Sequence, residues 1–258
     1  MSEQNFLDST KVSKLGSIFP TIYFYSKLLK IVFDASSLAK AGKYDDNEWV
    51  KSSVRVLNAL KRVGCDVEIT GIENFISIPE PVVFIGNHMS TLETFVLPCI
   101  IQPHKKVTFV VKKGLIEYPV FKHVMISRDP VVVTRENPRE DLKVVLNDGA
   151  EKLKNGVSII VFPQTTRTPK FDPKEFNTIG IKLAKKAGVK VVPVAIRSDA
   201  WSNGKFLKDF GKTYPNRPVR FAFGKPVEVT SRGDMQHEYV VSFIKEHLNK
   251  WGLKTVEN

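Results

Sequence analysis

Asn87-His88-Met89-Ser90-Thr91-Leu92-Glu93 holds a histidine and a carboxylate five positions apart, directly after the apolar run Val82-Val83-Phe84-Ile85-Gly86. An imidazole held by an acid through one nitrogen can take a proton from a hydroxyl with the other, which is the equipment of an acyl-transfer enzyme. Residues five apart in one continuous helix are rotated by about 140° and do not face each other. The pair therefore meets only if His88 sits at a strand end and Glu93 in the first turns of the helix that follows. Ser90 and Thr91 are suitable caps for that helix. Glu93 would then fix the imidazole tautomer and stabilise the imidazolium that forms.

A second chemical segment is Val161-Phe162-Pro163-Gln164-Thr165-Thr166-Arg167-Thr168. Arg167 offers a planar fork of donors matched to a phosphate, and the threonine hydroxyls and loop amides add more. The segment follows an apolar strand, at the sheet end where open α/β folds bind ligands. Arg135 ends another apolar run, Val132-Val133-Thr134, and Val191–Ile196 reads as a buried strand whose proline, Pro193, shapes the sheet.

The elements that must position these groups are short apolar runs alternating with helical segments. Strands are expected at 67–70, 82–86, 107–111, 131–134, 157–162, 190–196 and 219–223. Helices are expected at 49–63, about 137–156 with Asn137-Pro138 as cap and first position, about 177–187 with Gly188 as stop, and about 234–251. Continuous apolar strands between helices indicate an α/β fold, with a mixed, largely parallel sheet flanked by helices. The expected division is an N-terminal helical hairpin over 1–66 and an α/β domain over 67–258.

Residues 1–16 are polar and expected to fray. Residues 18–33 are the densest aromatic and aliphatic stretch, too short to span a bilayer and interrupted by Lys27 and Lys30. They read either as an amphipathic helix in a membrane interface or as a helix packed on the core. The interface reading is preferred because the net charge of +12 also favours an acidic partner such as an anionic membrane. The basic residues are scattered and no nucleic-acid-binding signature stands out, so nucleic acid is not expected as a partner. Only two cysteines, Cys65 and Cys99, are present, without metal spacing. Neither a disulfide framework nor a metal site is expected, and no secretory signal is read at the N-terminus.

Taken in order, these motifs resemble those of the glycerolipid acyltransferases of the lysophosphatidate (1-acylglycerol-3-phosphate) type. That family carries a His-x4-Asp motif preceded by Asn, a strand-borne Arg, a Phe-Pro-Glu-Gly-Thr-Arg-Ser block and a Val-Pro-Val block. The corresponding residues here are Asn87-His88 with Glu93, Arg135, the 162–168 segment and Val192-Pro193-Val194. Lys112 to Pro119 resembles the Lys-rich segment before the Arg motif, and residues 18–63 look like the two-helix membrane anchor. The likeness runs over about residues 67–225.

The resemblance implies that His88 is the general base, with Glu93 as its partner. The reaction moves a fatty acyl group from acyl-CoA or acyl carrier protein to the sn-2 hydroxyl of lysophosphatidate. Arg135, Gln164, Thr165, Thr166 and Arg167 would hold the acceptor, supported by Asn87 and Lys112. No cofactor is implied beyond the thioester co-substrate, and the expected location is the cytoplasmic face of a membrane, as a peripheral or monotopic protein. Glu93 stands where the family has Asp, and Gln164-Thr165 where it has Glu-Gly. These departures leave two further readings: acylation of another lysolipid, such as an amino-acid lipid, or a catalytically silent lipid-binding protein of the same fold.

Overall fold

The computed structural model describes residues 10–164, 166–204 and 208–256. Its strands are β1 (Val67–Thr70), β2 (Val83–Gly86), β3 (Val107–Lys112), β4 (Val131–Val133), β5 (Ser158–Val161), β6 (Val191–Arg197) and β7 (Val219–Phe223). Its α-helices are α1 (Lys14–Ile18), α2 (Pro20–Lys40), α3 (Asp46–Arg62), α4 (Glu73–Ile76), α5 (Leu92–Ile101), α6 (Lys113–Glu117), α7 (Lys122–Ser127), α8 (Pro138–Lys154), α9 (Ile179–Ala187) and α10 (Asp234–Lys250). Every expected strand and helix is present within a few residues of its expected bounds.

The strands form one seven-stranded sheet in the order β1-β7-β6-β2-β5-β3-β4. All pairs are parallel except β6–β7. β2 and β5 are buried at every position because helices cover both faces of the sheet. Alternation along each strand then assigns side chains to one layer or the other. Phe84, Ile160 and Val192 join the core under α2, α3 and α5, with Phe24, Leu57, Leu60 and Val96. Val83, Ile85, Ile159 and Val191 join the core under α8, α9 and α10, with Val145, Leu183 and Ile244.

Local signals set several helix ends. Asn137 Oδ1 accepts from the amides of Arg139 and Glu140 at 3.1 and 3.3 Å, with Pro138 in the first turn as expected. Gly188 closes α9 in the left-handed conformation, with φ of 66°. Pro193 lies inside the sheet, paired with Ile85 of β2. Its missing N–H costs little because regular pairing with β7 begins only at Val194.

The N-terminal segment departs from expectation in two ways. Residues 1–9 lie outside the described residues, but Lys14–Ile18 is helical rather than frayed, and the Ser13 amide donates to Arg62 O at 2.8 Å. The apolar stretch continues to Lys40 as a 21-residue helix that starts at Pro20. α2 carries two apolar stripes. Phe24, Leu28, Ile31, Val32 and Ala35 are buried in the core. Ile22, Leu29 and Phe33 lie on another side and are 71, 46 and 59 % exposed, continuing Leu15, Ile18 and Phe19 beside them. Among the described residues, no helix is long and apolar enough to cross a membrane.

Candidate active site

β2 is the central strand, and the chain leaves its carboxyl end through Asn87 and His88 before α5 begins at Leu92. Asn87 is 2 % exposed and behaves like one more peptide of the sheet. Its Nδ2 donates to Ile196 O and its Oδ1 accepts from Ile196 N, both at 2.8 Å. This bidentate bond anchors the start of the loop to β6. The His88 amide donates to Gln164 Oε1 at 2.6 Å, and His88 O accepts from the Thr168 amide at 3.0 Å, which anchors the loop to the segment after β5. The His88 ring stacks on Phe162, with centroids 4.4 Å apart and planes 6° from parallel.

Glu93 lies in the first turn of α5, as helix geometry required, and its Oε1 is 2.9 Å from His88 Nδ1. It is fully buried and is the one buried carboxylate among the described residues. Oε1 also accepts from the amides of Met89 and Ser90 at 2.6 and 2.9 Å. Oε2 accepts from Ser198 Oγ at 2.6 Å. Ser90 Oγ is 3.1 Å from Oε2 and 3.0 Å from Ser198 O, so its one proton serves one or the other.

The expected capping holds for Ser90 and fails for Thr91. Thr91 is the N-cap of α5 but makes no side-chain cap bond. The Glu93 carboxylate turns back onto the preceding amides instead, and Ser90 Oγ accepts from the Leu92 amide at 3.1 Å. Burial alone would drive Glu93 towards its neutral acid. His88, Ser198 and the backbone donor outweigh it and hold the carboxyl below its ordinary range. The group is therefore ionised near neutrality and accepts the Nδ1 proton of His88. Nε2 is left as the basic nitrogen.

The other expected site residues divide. Arg167 Nη1 reaches Thr91 Oγ1, close to the His88 loop, and also the carboxylate of Asp209. Thr166 Oγ1 accepts from Lys208 Nζ at 2.7 Å. Gln164, expected to face the acceptor, is instead 2 % exposed with its carbonyl on the His88 amide, so it positions the base. Being neutral, it serves that amide without placing a second buried charge near Glu93. Thr165 lies outside the described residues.

Lys112 ends β3 and Arg135 follows β4, two and three strands from β2 in the sheet order. At about 4.8 Å per strand, the strands that carry them lie roughly 10 and 14 Å from β2 along the same carboxyl edge. Arg135 has a left-handed backbone, φ 63°, and its amide donates to Asp141 Oδ2 at 2.7 Å. The structure thus brings His88, Glu93, Asn87, Gln164 and Arg167 together and keeps Lys112 and Arg135 further along the edge.

Four contributors were missed in the sequence: Ser198 behind Glu93, Asn203, whose Nδ2 donates to Met89 O at 2.9 Å, and Lys208 and Asp209. Ser198 alone had a signal, being a polar residue just past the carboxyl end of a buried strand.

A parallel-rich sheet thus carries, at the mouth of its central strand, a histidine held by a fully buried carboxylate, the arrangement of an acyltransferase whose base abstracts a hydroxyl proton. The chain belongs to the Acyltransferase family, whose model matches residues 66–197. It is 35% identical over 133 residues to a 1-acyl-sn-glycerol-3-phosphate acyltransferase of Pseudomonas aeruginosa, covering 51% of this chain and 49% of that protein. It is 30% identical over 158 residues to one of Saccharomyces cerevisiae, covering 60% and 50%. The chain thus spans about half the length of these curated relatives. The fold matches the crystal structure of the 1-acyl-sn-glycerophosphate (LPA) acyltransferase of Thermotoga maritima, with a TM-score of 0.70, 24% identity and coverage of 95% of this chain and 99% of that one.

Proposed function

We propose that this protein transfers a fatty acyl group from a thioester, acyl-CoA or acyl carrier protein, to the free sn-2 hydroxyl of lysophosphatidate, giving phosphatidate. The observation that carries the reading is the saturated Glu93 carboxylate, which commits His88 Nδ1–H to itself and leaves Nε2 as the base. His88 Nε2 takes the hydroxyl proton as the acceptor oxygen attacks the thioester carbonyl. The tetrahedral adduct expels the thiolate, which recovers the proton from the imidazolium. Glu93, itself fully buried, stabilises that imidazolium as a fixed charge held in place by its donors. Phe162 holds the ring plane. Arg167 supplies the fork for the acceptor's phosphate, with Arg135 and Lys112 as further cations along the same edge.

The Gln164 departure gives no support to a different acceptor, because that side chain serves the His88 backbone. The exposed stripe of Leu15, Ile18, Phe19, Ile22, Leu29 and Phe33 supports a peripheral or monotopic seat on a membrane. The net charge of +12 suits an anionic surface, and we place the protein on the cytoplasmic face.

The test is acyl transfer to lysophosphatidate from each thioester donor, with wild type and His88→Ala in parallel. Turnover falls by at least about 10²–10⁴ in the variant, the usual worth of a general base. Unchanged turnover would remove His88 from the mechanism. Wild-type preference for a neutral or zwitterionic lysolipid would replace the acceptor.

A further inference from the structure

Arg167 is already occupied. Its Nη1 meets Asp209 Oδ1, which also accepts from Thr91 Oγ1 at 3.0 Å. Thr91 is three residues from His88, at the N-cap position of α5, so this carboxylate sits on donors beside the loop that carries the base. A carboxylate and a phosphate monoester ask the same of such a site: acceptor-only oxygens facing a guanidinium and a hydroxyl.

We propose that Asp209 is an internal competitor for the acceptor's anionic head group, held on Arg167 and Thr91 until the acceptor displaces it, and therefore a determinant of acceptor affinity. The proposal rests on the reading of Arg167 as the phosphate grip.

Three features support displacement rather than a fixed structural pair. The Asp209 side chain is 60% exposed while that of Arg167 is 17% exposed, so the carboxylate can swing to water and leave the guanidinium facing the site. An ion pair with so exposed a partner is worth little to the fold. A phosphate monoester carries more charge and more acceptor oxygens than one carboxylate, so it is the better occupant.

The backbone around Asp209, by contrast, is held from several sides. Tyr25 Oη donates to Gly211 O at 2.8 Å and accepts from Trp201 Nε1 at 2.8 Å. Phe210 stacks on Tyr25 at 5.9 Å, and the Thr213 amide donates to Thr21 Oγ1 at 3.1 Å. Gly211 approaches Ser202 so closely that a Cβ there would lie 1.8 Å from Ser202 O. The carboxylate is thus delivered to Arg167 by anchors on α2 and on the segment after β6, and only its side chain is free to leave.

The experiment measures the lysophosphatidate KM for wild type, Asp209→Asn, Arg167→Ala and the double variant, with thermal unfolding as the folding control. Asn keeps the shape but loses the charge, so KM falls about two- to fivefold, the worth of a partly exposed ion pair. Arg167→Ala raises KM, and in that background Asp209→Asn changes nothing, because the competitor acts only through Arg167. Arg167→Ala raising KM while Asp209→Asn leaves it unchanged or raises it overturns the competitor and leaves the phosphate grip standing. An equal fall in both backgrounds also overturns it, since the effect is then long-range charge. An unchanged KM in Arg167→Ala removes the grip, and the competitor with it.

Discussion

Ser198→Ala tests whether Glu93 owes its charge to its surroundings. The substitution deletes one donor, the 2.6 Å hydroxyl on Glu93 Oε2, and leaves His88 and the Met89 and Ser90 amides untouched. A hydrogen bond to a charged group is worth about 1.5–3 kcal/mol. Part is recovered where Ser90 Oγ, 3.1 Å from Oε2 and 3.0 Å from the Ser198 carbonyl that the variant keeps, gives its proton to the carboxylate instead. The expected net loss is about 1–2 kcal/mol, or roughly 2–8 °C in Tm for a domain of this size. The sign with pH follows from the depressed carboxyl of Glu93. A carboxyl lowered in the folded state contributes stability above its unfolded value, and that contribution is lost as pH falls through the folded one. The difference between wild type and variant is therefore full at pH 7 and shrinks below about pH 4.3, the ordinary Glu value. Thermal unfolding followed by circular dichroism between pH 3.5 and 7.5 measures it. A difference that stays constant across that range, or none at pH 7, would show that Ser198 does not serve the carboxylate's charge.

Glu93→Gln keeps an oxygen for the three N–H donors but removes the charge facing the imidazolium. Turnover should fall by about 10²–10⁴ with little change in acceptor KM, and a loss confined to KM would contradict the assignment. Ile22→Asp with Phe33→Asp alters only exposed positions, so the fold survives. If these side chains enter a bilayer interface, losing about 1.5–3 kcal/mol each weakens sedimentation with anionic vesicles by about a hundredfold or more, and undiminished binding would move the membrane contact elsewhere.

The strands were legible because a sheet covered on both faces needs largely apolar runs, and β2, β5 and β6 carry them with Ser158, Pro193 and Arg197 as the exceptions. The helix over 138–154 was legible because Asn137, Pro138 and Gly156 are local punctuation. The N-terminal stretch was read as one of two alternatives, yet α2 is apolar on two sides, and composition alone does not separate a stripe that packs from one that stays exposed. Gln164 was misread because its neighbours in the chain point to an acceptor loop, while its actual partner, the His88 amide, comes from the loop after the adjacent strand β2.

By itself the sequence determined the His88–Glu93 pair, since the two lie within one strand-to-helix turn and the helical angle permits one arrangement. It also determined the sheet-and-helix alternation, because hydrophobic periodicity is local. The tertiary structure decided which strands are neighbours, that β7 runs against β6, that Ser198 stands behind a carboxylate 105 residues away, and that Asp209 reaches Arg167. The reason is physical. Contacts at the carboxyl edge are made between loops whose neighbours are fixed by strand order, and no period along the chain carries that order.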